Sequence, residues 1–239
     1  METFVVRIWL PDRPGALGQV ASRIGAVRGE IVGIDILEWG AGRAVDELVV
    51  ELPDGTLTDL LAAELRQVDG VDVEEIRPVA DALHDPRLDA LETAAILVGA
   101  RDANELAEAT ALHARRVIGA AWAAVVAMDE GEVVAAAGEI PPVPWLLAFV
   151  AGSQASARVV AGEGGADDLV WSPLPASGLA LVLGRDGHAF RARERRQVAA
   201  LARIADTRVR ELVALARLLH PAGRAPQPAE VSCSGSPAC

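Results

Sequence analysis

Phe4-Val-Val-Arg-Ile-Trp-Leu-Pro-Asp-Arg-Pro-Gly-Ala-Leu17 is the stretch whose reading decides the fold. Phe4, Val6, Ile8 and Leu10 alternate with Val5, Arg7 and Trp9, the period-two pattern of a strand that commits one face to a core. Two prolines and a glycine then interrupt the run. Beyond them Leu17, Val20, Ala21, Ile24 and Val27 fall at helical spacing, which predicts a short helix whose apolar stripe covers the strand just left. The break turns a core strand into its own cover.

Val32, Ile34 and Ile36 alternate again, Gly40-Ala-Gly42 makes a turn, and Leu48, Val50 and Leu52 face one way in a partner strand, so the segment reads as a hairpin. After Asp54-Gly55, Thr56-Leu-Thr-Asp59 reads as a capping box for a second helix carrying Leu57, Leu60, Leu61, Leu65 and Val68. Val71, Val73 and Ile76 suggest a last strand. The resulting order, βαββαβ, is satisfied by a ferredoxin-like sandwich with two helices on one face of four strands.

The pattern lapses over residues 81–87, where His84-Asp85-Pro86 marks a linker. Leu88, Leu91, Ala95 and Val98 then stripe one helix, and Leu106, Ala109, Leu112 and Val117 stripe another. A hairpin is expected from Ala121 to Ala137, turning at Asp129–Glu132, followed by a short helix over Trp145–Phe149 behind Pro141-Pro-Val-Pro144. Strands are expected at Leu169–Ser172 and Leu179–Leu183. A long helix follows from about Arg191, with Leu201, Ala205, Val209, Leu212, Leu215 and Leu219 close to one face. From Pro221 the chain is rich in Pro, Ser and Gly, a composition that predicts disorder. The expected fold class is α+β, with domains at 1–80 and 88–219 and a tail over 220–239.

Composition narrows function by exclusion. A net charge of −12 disfavours a general nucleic-acid or anionic-membrane binder, which needs a cationic surface. No apolar stretch approaches the roughly 20 residues of a membrane span, and Met1 opens a strand-like run rather than a leader, so a cytoplasmic location is expected. The chain has no lysine and no tyrosine, which removes Schiff-base, P-loop and tyrosine-acid chemistry. The two cysteines, Cys233 and Cys239, lie in the tail. His84, His113, His188 and His220 share no ligand spacing, so neither a metal nor a cofactor is expected. Asp167-Asp168 lacks a base partner in sequence, and no nucleophile motif is present, so the chain reads as no enzyme. Arg185, Arg191, Arg193, Arg195 and Arg196 read as a solvated helix start paired locally with Asp186 and Glu194, with a phosphate or nucleic-acid grip as the alternative.

Asp12-Arg-Pro-Gly-Ala-Leu17 between this strand and this helix, Gly29 at the helix end, and the βαββαβ order resemble the ACT domain family over about the first 80 residues. The resemblance implies a regulatory module that pairs into dimers and binds a small ligand, often an amino acid, at the interface. The site would consist of Asp12, Arg13, Pro14, Gly15, Ala16 and Leu17 together with Glu30 and Ile31. Elementary chemistry agrees in part: amides at a helix start attract a carboxylate, and Gly15 permits close approach. Asp12 and Glu30 depart from amino-acid-binding members, where both positions are often asparagine. A carboxylate accepts hydrogen bonds and repels a ligand carboxylate, so the ammonium end would face these acids, the ligand would differ, or the site would be vestigial. Residues 88–218 are similar to GAF-type sensor domains in element order, which implies an α/β/α sensor fold with a long final helix. The expected function is a homodimeric sensor of an amino acid or related metabolite, relaying through the second domain. The alternative is a ligand-independent module that docks on a protein partner.

Overall fold

β1 (Glu2–Pro11) forms the strand that the alternation predicts, and it takes a central place, pairing antiparallel with β3 (Arg43–Leu52) and with β4 (Asp72–Val79). The computed structural model describes residues 1–79, 86–155 and 168–219. β2 (Glu30–Gly40) joins β3 as an edge, so the sheet order is β2-β3-β1-β4. The β2–β3 turn uses Ala41 and Gly42 at φ 50 and 74, left-handed values that match the strand twist of a two-residue hairpin.

α1 (Ala16–Ala26) and α2 (Thr58–Leu65) cover one face of this sheet. Val20, Ile24, Leu61 and Leu65 bury against Phe4, Val6, Ile8, Leu48 and Val50. Gly29 is needed where α1 hands over to β2: a Cβ there would stand 2.9 Å from Ile24 Cγ2 and 3.0 Å from Leu52 Cδ2. Two expectations fail in detail. The capping box does not form, because a 3-10 turn over Gly55–Leu57 precedes α2, places Leu57 at its N-cap, and turns the Thr58 hydroxyl back to the Gly55 carbonyl. Val32, Ile34 and Ile36 stay 47, 44 and 39% exposed, since β2 is an edge strand, and a bulge after Ile31 leaves Ile31 rather than Val32 against the core.

The second sheet has the order β6-β5-β8-β7, built from β5 (Trp122–Ala127), β6 (Glu132–Ala137), β7 (Leu169–Leu174) and β8 (Leu179–Gly184). One face packs on α4 (Ala103–Ile118) and α6 (Ala192–Leu219) through Val125, Leu181, Leu183, Leu106, Ala111, Val198 and Leu201. The other meets α5 (Val143–Ala155) through Ala124, Val126, Val182, Leu146 and Val150. The chain is thus α+β, with two antiparallel four-stranded sheets and a long C-terminal helix.

α3 (Pro86–Gly99) opens inside the expected linker and overturns the expected stripe. Leu88, Leu91 and Val98 are 53, 69 and 54% exposed, whereas Thr93 and Leu97 are buried. The helix turns its Thr93 and Leu97 face inward and leaves Leu88, Leu91 and Val98 outside. α6 changes character along its length: Leu201 and Ala205 are core residues, while Val213, Leu215 and Leu218 are exposed. Residues 80–85, with His84, and the tail 220–239, with His220, Cys233 and Cys239, lie outside the described residues, as does Asp167.

Candidate functional site

The loop that breaks the opening stretch forms as a tight turn. Asp12 N–H donates to the Gly42 carbonyl at 2.9 Å, Arg13 N–H to the Pro11 carbonyl at 2.8 Å, and Gly15 stands at the α1 N-cap with φ 87. No side chain caps this helix start, and a Cβ on Gly15 would meet nothing within 4 Å. Asp12, Arg13, Pro14 and Gly15 are exposed, Leu17 is half-buried, and Ala16 is packed beneath them in the core. Arg13 reaches Gln19 at 3.4 Å and helps line a shallow groove between α1 and the end of α2.

Glu30 and Ile31 are not beside this loop. Register places Glu30 opposite Glu51, which pairs with Thr3, whereas Pro11 pairs with Arg43 opposite Gly40. The loop and the Glu30–Ile31 pair therefore sit at opposite ends of the sheet, eight strand residues apart along β1, or roughly 26 Å. Within one chain they form no common site.

A different cluster fills the sheet face that α1 and α2 leave uncovered. Arg7, at the centre of β1, is 2% exposed and donates from Nη2 to Glu47 at 2.8 Å and to Glu194 of α6 at 3.1 Å. Arg185, just after β8, meets the same Glu194 with both terminal nitrogens at 2.8 Å, and the Arg191 amide adds a fourth N–H donor at 2.7 Å. Outward from this centre, Arg193 binds Asp35 of β2 at 2.5 Å, and Arg191 binds Glu74 of β4. Arg191 and Arg43 lie over the Trp9 ring at 4.7 and 5.2 Å, a geometry that favours cations on the aromatic faces. His188 Nε2 stands 3.4 Å from Glu75.

These groups perturb one another. Burial raises the Glu194 carboxyl pKa, and the Arg185 hydrogen bond with the Arg7 and Arg185 charges more than reverses this, holding it below the usual range. Burial works against the Arg7 charge as well, yet Glu194 and Glu47 outweigh it and raise its pKa. Burial, then Arg185, lower the His188 pKa, against the pull of Glu75. Beyond the seam, burial alone raises the Asp46 carboxyl, whose Oδ1 has no hydrogen-bond partner among the described residues.

The expected reading of the arginines as a solvated helix start is thereby corrected for Arg185, Arg191 and Arg193, while the expected pairing with Glu194 forms through Arg185 and Arg196 stays exposed. Arg185 and Arg191 are 4 and 9% exposed; Arg185 ties Glu194 to the end of β8, while Arg191 and Arg193 tie the start of α6 to the first sheet. Beside them a cleft of about 350 Å³ opens between the sheets, walled by Arg7, Asp35, Glu47, Arg77 and Val79 on one side and by Arg116, Gly119, Arg193, Glu194 and Gln197 on the other. A second cavity, about 360 Å³ and mostly apolar, lies between α4, the distal part of α6 and the β7–β8 turn, with Thr110, Asn104 and Ser177 as its polar groups. Among the described residues no cluster of His, Cys, Asp and Glu could hold a metal, and no helix is long and apolar enough to cross a membrane.

Sequence reasoning missed Arg7, Asp35, Glu47, Glu74 and Glu75. A signal was present: Arg7, Glu47 and Asp35 interrupt three apolar strands at positions that share one rung of the ladder.

No family model matches the chain, and no curated protein does. Solved structures share local similarity. An uncharacterized protein from Thermotoga maritima is 23% identical, with 33% of this chain and 96% of that one covered at a TM-score of 0.27. An unknown protein from Galdieria sulphuraria is 16% identical, with 42% of this chain and 64% of that one covered at a TM-score of 0.28.

Proposed function

We propose that the chain is a non-enzymatic, cytoplasmic, homodimeric sensor. An ACT-like, ferredoxin-type N-terminal unit binds an amino acid or related metabolite, and a GAF-like unit relays the signal through α6. The observation that carries this reading is the open edge β2, which bears Glu30 and Ile31 at one end while loop 12–17 lies at the opposite end of the sheet. β2 is eleven residues long and exposes Val32, Ile34 and Ile36, a template for pairing with another strand. Antiparallel pairing of β2 with its copy about a two-fold near Asp35 would set Glu30 of one chain opposite Gly40 of the other. Glu30 and Ile31 would then lie at the end of the partner sheet that carries its loop 12–17, so dimerisation would complete a site that one chain leaves divided. The ionic seam supports the relay, since any shift of the first sheet acts directly on the base of α6. Ligand preference for one arrangement would move the population towards it.

The exposed apolar stripe of α3, Leu88, Leu91 and Val98, favours a second reading, a module that docks on a protein partner whatever the metabolite. One experiment separates them. Thermal shift against the common amino acids, with light scattering for mass, is expected to show a dimer stabilised by at least one of them, and the response is expected to fall in Glu30→Gln and in Gly15→Trp. A monomer, or no shift with any amino acid, would sink the sensor reading and leave the docking module.

A further inference from the structure

The charges lining the cleft between the sheets are not paired equally tightly. Arg7 and Arg185 answer Glu47 and Glu194, and Arg193 answers Asp35, each at hydrogen-bonding distance. Arg77 of β4 and Arg116 of α4 are held more loosely. Their ion pairs are long, 3.7 Å to Glu75 and 3.9 Å to Asp89, with side chains 39 and 56% exposed. Both line the same cleft, although they come from opposite sides of it. Gly119, which closes α4 at φ 67, fixes how near they come: a Cβ there would stand 3.7 Å from Arg77 Nη2, one turn from Arg116. Deeper in, Arg7 is buried, and its Nη1 has no acceptor among the described residues.

The lining of the cleft carries Arg7, Arg77, Arg116 and Arg193 against the carboxylates Asp35, Glu47 and Glu194, with the unpartnered Arg7 Nη1 buried behind them. Arginine forks are matched in geometry to carboxylate and phosphate oxygens, and two loosely paired ones lining one pocket can hold such a group together. At about 350 Å³ the cleft admits a small metabolite rather than a polymer. We propose that it binds a small soluble oxyanion, its phosphate or carboxylate group held between Arg77 and Arg116. One anchor belongs to each sheet unit, so the ligand bridges them and fixes α6 against the first sheet. This site is independent of loop 12–17 and stands whether or not that loop binds an amino acid.

Calorimetric titration of the full chain with inorganic phosphate, and separately with succinate, at constant ionic strength tests it. Saturable binding of one anion per chain is expected, weakened at least about tenfold in the Arg77→Gln/Arg116→Gln double variant, as loss of charge-assisted hydrogen bonds implies. It should be unchanged in Arg101→Gln, whose side chain is 84% exposed on α4's approach. The tighter of the two anions identifies the group recognised. Both substitutions lie at half-exposed positions, and a melting curve checks that the double variant folds. Absence of saturable binding by either anion, or equal affinity in the folded double variant, overturns the proposal.

Discussion

β1 and β5 are both central strands of antiparallel four-stranded sheets, and both are covered on two faces, but the covers differ in kind. β5 meets apolar side chains on each face, α4 and α6 on one and α5 on the other. β1 has an apolar face under α1 and α2 and, on the reverse, Arg7 set among Glu47, Glu194 and Arg185. Apolar packing is non-directional and tolerates small slips, whereas a buried ion pair holds its geometry or fails. The second sheet is therefore held by apolar packing on both faces, and the first is tied by charge to the start of α6.

Breaking the ionic cover tests that contrast most severely. Glu194→Ala would leave Arg7 and Arg185 buried with one acidic partner, Glu47, between them, and is expected to cost about 3–5 kcal/mol in urea unfolding. The loss should fall on the junction, visible as early exchange of amides at the start of α6 while β5 and β8 stay protected. Uniform loss of protection in both sheets would show that the seam is ordinary core. The matching test of the apolar cover is Gly184→Ala. A Cβ there would stand 2.3 Å from the Trp122 ring, and overpacking of this kind costs about 1–3 kcal/mol. Its loss should appear in the second sheet first, with the Arg7–Glu194 pair intact.

How far these features were legible in the sequence follows the same division. Period-two alternation located β1 and β3, because a strand with an apolar face advertises itself locally. The break at Pro11–Gly15 placed α1 correctly for the same reason. What was not legible depended on pairs distant in sequence. Arg7 and Glu194 are 187 residues apart, and neither has a periodicity that names its partner. The α3 stripe misled because spacing shows that a helix has an apolar face, not that the face is covered; Thr93 and Leu97 took the core instead. Glu30 and Gly15 were joined by resemblance alone, and register separates them within a chain.

The smallest effect expected concerns acid, and its sign distinguishes the two covers. His188 faces Glu75 and Arg185, with Arg7 and Glu74 close by, and burial with Arg185 sets its pKa below 6.5. A base whose pKa is lowered by folding contributes stability that is present above the unfolded value and lost as pH falls beneath it, because the unfolded chain takes up the proton first. Glu194 behaves alike in a lower window: its depressed pKa makes its contribution full above 4.5 and lost as pH falls through the folded value. The junction should thus weaken in two steps on acidification, the first below 6.5 and the second below 4.5. His113 of α4, also lowered by burial and by Arg116, adds to the first step from the second sheet's side. Urea midpoints measured between pH 7.5 and 5 for His188→Gln and His113→Gln divide that step. A slope that shrinks in His188→Gln places the acid sensitivity in the ionic seam. A slope that shrinks in His113→Gln alone places it in the apolar unit and removes the seam as the more responsive of the two covers.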